Sequence, residues 1–391
     1  MSHIIFHIDV NSAYLSWTAV EQLKNGADVD IRTIPAIIGG DRESRHGIVL
    51  AKSPSAKKFG IRTGEPVVNA FRKCPNLHMD PPNHRMYREY SRRLMDFLKT
   101  YTPEIEQVSV DECYMDFTGI AQRFSSPVEA AYEIKARVYE KFGFTVNVGI
   151  STNKLLAKMA SDFEKPNRVH TLFPEEVKEK MWPLPVSELF MAGKSSVAIL
   201  EKLEIRTIGE LAQTDPKLLE FHLKSHGRTL WEFANGIGDA KVQSEETAAK
   251  GVGNSTTLPK DVEKAEDAKK VLFSLAESVG KRLRKAGQKA NMVSVEIRYS
   301  DFQNVSHQKQ LGRASGADQV IYEAACSLFD ELWNGEPIRL LGVRTAKLVD
   351  EDEPEQLSLF DLQFEVKSEK PKKSMEKLKK LSAAMGEIRG K

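Results

Sequence analysis

Cysteine is scarce in this chain of 391 residues: Cys74, Cys113 and Cys326 stand singly. Scattered thiols fit a reducing compartment and argue against a disulfide framework or a zinc knuckle. Long apolar runs are missing too. No segment approaches the roughly 20 apolar residues of a membrane span, so no membrane partner is expected. The apolar run at residues 4–10 lacks a basic leader and a small-residue cleavage site, and reads as a strand, not a signal peptide. Net charge is small: 57 basic against 55 acidic residues leave +2, a total that points to no partner. Its distribution says more. Acids gather at Asp9, at Asp111 and Glu112, and at residues 350–355, whereas bases gather at 281–289 and 367–380. The length exceeds what one core supports and implies about two to four domains.

What is present centres on residues 109–117, Ser-Val-Asp-Glu-Cys-Tyr-Met-Asp-Phe. Two adjacent carboxylates, Asp111 and Glu112, sit in an otherwise apolar and aromatic run. Neighbours in a strand point to opposite faces, so one acid should face a cleft and the other lie at a strand end or turn. Residues 4–10, Ile-Ile-Phe-His-Ile-Asp-Val, form a second short apolar run containing one acid, Asp9. Paired side by side, the two runs bring three carboxylates together with little basic residue nearby to neutralise them. Such a cluster calls for hard divalent cations, most plausibly Mg²⁺.

In chain order, residues 11–23 have an N-cap in Asn11 or Ser12 and apolar positions at helical spacing. The start of this helix beside Asp9 could hold phosphate oxygens on its free N–H groups, or be an ordinary strand–helix junction. Residues 34–64 alternate strand-like runs with Gly-Gly-Asp-Arg-Glu-Ser-Arg-His-Gly; the Gly39-Gly40-Asp41 turn has the look of nucleotide cyclases but is a common turn. A short basic helix starts near Pro54, followed by a long amphipathic helix over 85–101, the acid-bearing strands, a helix over 127–142 and a strand over 145–150. Strands interleaved with helices suggest an α+β layer. Residues 183–233 read as short helices only. The turns carrying Gly193 with Lys194, and Gly209 with Arg206, look like hairpins whose amides approach phosphates, or parts of a plain helical bundle. After a polar linker, residues 250–349 show the order β-α-β-β-α-β of a ferredoxin-like split. From residue 350 the composition suits a disordered tail, with one exception at 356–360, Gln-Leu-Ser-Leu-Phe.

The stretches at 9–14, 109–112, 149–154 and 165–167, in order and at matching spacing, resemble the Y-family translesion DNA polymerases. The resemblance runs from residue 1 to about 360. It implies an α+β, multidomain right-hand polymerase: palm at 1–10 and 77–168, small fingers at 11–76, a helix-hairpin-helix-like thumb at 169–237, a linker at 238–249, and an α/β little finger at 250–349. It further implies a monomer acting on primer–template DNA and deoxynucleoside triphosphates with two Mg²⁺ ions. Asp9, Asp111 and Glu112 would hold these, with the carbonyl of Val10 as a further ligand and Glu112 mainly on the primer-side ion. The N–H groups of Ser12 and Ala13, with Lys57 and Lys165, would grip the triphosphate. Tyr14 matches the position whose ring excludes a ribose 2′-hydroxyl, and Ile48 with Leu50 matches the roof over the nascent base pair. Gln356, Leu357, Leu359 and Phe360 match the motif by which bacterial polymerases bind the sliding clamp.

One departure stands out. Where the family usually has Tyr in the fingers triphosphate site, this chain has Pro54, preceded by Ser53. Proline has no N–H to donate, so a phosphate contact is lost, which Lys52 or Lys57 would have to replace. A rival expectation follows: a catalytically impaired accessory or scaffold protein bound to the clamp. All three carboxylates are present, which ranks the enzyme first.

Overall fold

Strand β1 (Ile5–Val10) is buried along almost its whole length, as a near-continuous apolar run requires of a central strand. The computed structural model describes residues 3–41, 47–245 and 248–353. The chain divides into two compact units, Met1–Glu246 and Thr247–Lys391. The tail from residue 354, with the expected clamp motif Gln356, Leu357, Leu359 and Phe360, lies outside the described residues. Among the described residues no helix is long and apolar enough to cross a membrane.

After β1 the first unit continues with α1 (Ala13–Lys24), β2 (Ala36–Gly39), β3 (Val49–Lys52), α2 (Pro54–Lys58), α3 (Val67–Lys73), β4 (His78–Asp80) and α4 (His84–Leu98). Then come β5 (Ile105–Gln107), β6 (Glu112–Asp116), α5 (Pro127–Phe142), β7 (Val146–Ser151), α6 (Lys154–Asp162) and β8 (Val169–Thr171). Four short helices close the unit: α7 (Lys194–Lys202), α8 (Ile208–Gln213), α9 (Pro216–Leu223) and α10 (Ser225–Ala234). The main sheet runs β5-β6-β1-β7-β8, and a smaller one runs β3-β2-β4.

Local chemistry accounts for several boundaries. Helix α5 starts where the Ser126 hydroxyl accepts the Glu129 N–H and Pro127 takes the first turn, and it stops at Gly143, whose φ of 79° is left-handed. The apolar stripe Tyr87, Tyr90, Leu94, Phe97 and Leu98 of α4 is buried. It packs with α5 on the face of the main sheet that presents Phe6 and Ile8.

The expected hairpin turns at 193–211 differ. Gly209 lies within α8, and a Cβ there would meet Trp182 Cβ at 3.0 Å, so this glycine serves close packing. The amides of Arg206 and Thr207 donate to Glu210 Oε2 (2.7 and 2.9 Å) inside a capping box, which removes them as phosphate donors.

The second unit is β9 (Gly251–Val262), α11 (Ala265–Lys285), β10 (Gln288–Tyr299), β11 (Asn304–Ser315), α12 (Asp318–Leu332) and β12 (Ile338–Asp350). This is the expected order of elements. The lateral order β11-β10-β12-β9 is wholly antiparallel and puts β10 and β12 at the centre, where a ferredoxin-like split has its first and third strands. Each helical crossover still joins parallel strands with one strand between them. Periodicity reports element type along the chain but not which strand becomes a neighbour. Helices α11 and α12 share a core with the sheet. A cavity of about 1010 Å³ opens along residues such as Ser255, Glu296, Ser306 and Arg344, so the unit has a polar concave surface.

Candidate active site

Register brings the acids together. Asp9 of β1 lies directly opposite Glu112 of β6, and opposed residues in an antiparallel pair present their side chains on one face. His7, two residues before Asp9, shares that face, as do Asn147 and Gly149 of β7 through their pairing with Asp9 and His7. Asp111 sits just ahead of β6, and its carbonyl accepts the Val10 N–H at 3.0 Å, tying the acid-bearing turn to the end of β1. The Ser109 hydroxyl donates to Asp111 Oδ1 at 2.6 Å. Burial raises the Asp111 pKa; the Ser109 bond opposes this, and the negative charges of Asp9 and Glu112 add to it.

The expectation of few bases nearby is corrected by α6. Lys158 donates to Glu112 Oε2 at 2.8 Å and lies 3.9 Å from Asp9 Oδ2 and 3.5 Å from Asp162. Lys165 is bound to Asp9 and, at 2.9 Å, to Asp162. The helix reaches the acids because Gly149 lets it settle on the sheet. A Cβ at Gly149 would stand 2.0 Å from the Ala157 carbonyl oxygen and 2.4 Å from the Ser161 nitrogen. Beneath the acids, buried His7 sets Nδ1 2.8 Å from the Ser161 hydroxyl. Its Nε2 lies 3.3 Å from Glu112 Oε2, so His7 and Lys158 both approach that carboxylate.

Lys165 is positioned by two buried asparagines. The Asn11 side-chain oxygen accepts from the Asn167 N–H (2.8 Å) and the Thr145 hydroxyl (2.9 Å), while its amide donates to Asn147 Oδ1 (3.0 Å). Asn147 in turn donates to the carbonyls of Ser161 (3.0 Å) and Glu164 (2.7 Å). These bonds clamp the loop that carries Lys165 and the cis Lys165–Pro166 peptide against the strands.

Of the residues expected to handle nucleotide and metal, Asp9, Val10, Ser12, Ala13, Tyr14, Lys57, Asp111 and Lys165 line one cavity of about 550 Å³, and Glu112 is not part of its lining. Helix α1 starts there without a side-chain cap, Ser12 being left-handed at φ 47°, which leaves its first amides available to an anion. The Tyr14 ring stacks on Tyr87 at 4.3 Å and meets the edge of His84 at 5.9 Å. Its hydroxyl pKa is raised, first by burial and then by Asp111. Leu50 lines the same cavity, while Ile48 is exposed.

The donor set suits hard cations. It consists of carboxylate oxygens, and Asp111 makes no ion pair among the described residues while two acids act on it. Among the described residues, however, no group of three or more His, Cys, Asp or Glu side chains gathers into a cluster able to hold a metal ion. Lys158 and Lys165 instead hold the carboxylates of Glu112 and Asp9. Lys158, His7, Asn11 and Asn147 were not anticipated as site residues. One signal was available: Lys154, Lys158 and Ser161 recur at helical spacing on one face of α6.

Sequence profiles of the impB/mucB/samB family match residues 8–162, and those of its C-terminal domain match 249–359. The chain is 50% identical over 380 residues to DNA polymerase IV of Clostridium acetobutylicum, covering 97% of this chain and 96% of that protein. It is 38% identical over 381 residues to DNA polymerase IV 1 of Bacillus subtilis, covering 97% and 90%. Among solved structures, a Y-family DNA polymerase chimera superposes with a TM-score of 0.78 at 23% identity, over 89% of this chain and 99% of that one.

Proposed function

This chain belongs to the impB/mucB/samB family and is a DNA-directed DNA polymerase of the Y family; we propose that it copies damaged template bases by two-cation nucleotidyl transfer and is recruited by the sliding clamp. The observation that carries the mechanism is the pairing of Asp9 with Glu112 across β1 and β6, with Asp111 next to Glu112 and lining the cavity together with Asp9. Asp9, Asp111 and Glu112, with the Val10 carbonyl, would hold two Mg²⁺ ions, which when bound supply activation of the primer 3′-oxygen and neutralisation of the leaving pyrophosphate.

The remaining roles fall to the chain itself. The α1 amides of Ser12 and Ala13 and the Lys57 ammonium bind the triphosphate. Lys165, its loop held by Asn11 and Asn147, is bound to Asp9 and would turn to the triphosphate when that is bound. The Tyr14 ring, backed by Tyr87, bars a 2′-hydroxyl. On this reading residues 1–10 and 77–168 are the palm, 11–76 the fingers, 169–237 the thumb and 250–349 the little finger, with residues 356–360 as the clamp-binding segment.

Primer extension on plain and abasic or N²-guanine-adducted templates, with and without Mg²⁺, tests this reading. Mg²⁺-dependent extension past the lesions is expected. Asp111→Asn should abolish it while leaving primer–template binding intact, and robust extension by that variant would refute the assignment. A second reading, a catalytically impaired clamp-bound accessory, draws on Pro54 and on the lysines that hold Asp9 and Glu112. It requires that the unaltered protein bind primer–template and fail to extend it.

A further inference from the structure

In β3, Val49 and Ala51 are buried while Leu50 and Lys52 are half-buried, so the strand turns the latter pair outward on one face. That face borders the nucleotide cavity, which Lys52, Ser53, Pro54, Lys57 and Thr63 line together. Neither Lys52 nor Lys57 forms an ion pair among the described residues; the Lys52 ammonium reaches only the Thr63 hydroxyl, at 3.3 Å. Glu65, the nearest acid to act on Lys52, is bound by Lys73 at 2.5 Å. Burial first, and then the charge of Lys57, lowers the Lys52 pKa. Two ammonium groups turned toward one partly enclosed space repel each other unless an anion lies between them.

Other donors on this wall are missing or engaged. Pro54 has no N–H. The Ser53 hydroxyl accepts from the amides of Ala36 (3.1 Å) and Ala56 (3.0 Å) and donates to the Ile34 carbonyl (2.7 Å), so it is fully used by the fold. Lys165 is engaged by Asp9 and Asp162. Asp9 and Asp111 line the same cavity as Lys52 and Lys57, so it carries both acidic and basic groups.

We propose that Lys52 is a second phosphate-binding residue of this cavity, which with Lys57 grips the terminal phosphates of the incoming triphosphate and replaces the donor lost at Pro54. The inference rests on the polymerase reading and adds to it the residue that sets triphosphate affinity. A single charge-assisted contact of this kind predicts about a tenfold rise in KM for the nucleotide in Lys52→Ala and Lys52→Met, with kcat changed by less than about twofold. Lys52→Arg should return KM to within about twofold of the original, because it keeps the charge.

The test is steady-state primer extension with these three variants of the full chain, alongside calorimetric binding of inorganic tripolyphosphate and of primer–template DNA. Tripolyphosphate binding should weaken in Lys52→Ala by a factor similar to that in KM, with the DNA Kd unchanged. An unchanged KM and unchanged tripolyphosphate binding would overturn the proposal, as would an equal loss of DNA affinity, which would make Lys52 a DNA-backbone contact. If the unaltered protein fails to extend a primer, the polymerase reading falls. The tripolyphosphate comparison then still decides whether Lys52 binds phosphate.

Discussion

Lys158 reaches from α6 to Glu112, its ammonium 2.8 Å from Oε2, and so becomes the counter-ion of a carboxylate that lies directly opposite Asp9. The contact joins a helix to a strand 46 residues away in sequence. It makes the electrostatics of the site depend on tertiary packing, and several outcomes follow from that dependence.

The Glu112 carboxyl is held down to about 2, against an ordinary 4.5, chiefly by the His7 imidazole and also by Lys158, with burial opposing. A carboxyl depressed in the folded state stabilises the fold above its unfolded value, and that contribution fades as pH falls through the folded one. Lys158→Met should therefore lower unfolding stability by about 2 kcal/mol at neutral pH. The difference from the original chain should shrink as pH drops from about 4.5 toward about 2. Urea denaturation across that range measures it, and a pH-independent difference would show that Lys158 acts through packing alone.

The Tyr14 ring stacks on Tyr87 and meets the edge of His84. Tyr14→Ala should raise ribonucleotide incorporation relative to deoxyribonucleotide by at least about tenfold, since it removes a rigid steric bar. Competing the two sugars in single-nucleotide extension gives the ratio directly. Unchanged discrimination would dispose of the gate.

Pro54 opens α2 as its first residue, and Ser53 caps the helix independently of it. Pro54→Tyr restores a hydroxyl donor on the cavity wall at a small cost in helix initiation. We expect KM for the nucleotide to fall by about threefold to tenfold, the gain of one ordinary hydrogen bond. An unchanged or higher KM would count against a missing contact.

The segment Gln356 to Phe360 offers alternate apolar side chains and one amide, the chemistry of an extended peptide laid in an apolar groove. Truncation after Glu355 should remove stimulation by the clamp and leave distributive synthesis within about twofold of the full chain. Product-length distributions with and without clamp separate the two, and undiminished stimulation of the truncated chain would rule the segment out.

Much of the element plan was legible before any coordinates. Helix 127–142 is bracketed by a serine cap, a first-turn proline and a terminal glycine, and it matches its observed bounds. The turn expected to carry Gly209 and Arg206 is instead the start of α8 at Ile208, where Thr207 and Glu210 form a capping box. Asp9, Asp111 and Glu112 stood out as acids in apolar runs, an arrangement whose cost demands a partner. The partner was read as metal alone. Lys158 looked like an ordinary helix lysine and Lys165 was expected on the triphosphate, not on Asp9, since nothing in their local sequence reports which strand they will overlie.

The residues by themselves determined where strands and helices form, which acids are set among apolar neighbours, and that Pro54 removes a donor, because caps, periodicity and covalent chemistry act over a few positions. Tertiary structure alone decided that β12 and not β11 lies between β9 and β10, and that Gly149 admits α6 close enough for Lys158 to reach Glu112. It also decided that Ser53 is used up while Lys52 is left facing the cavity. Those outcomes depend on which surfaces meet across long stretches of chain, where exclusion of a single Cβ or the sharing of one hydroxyl settles what a charged side chain can reach.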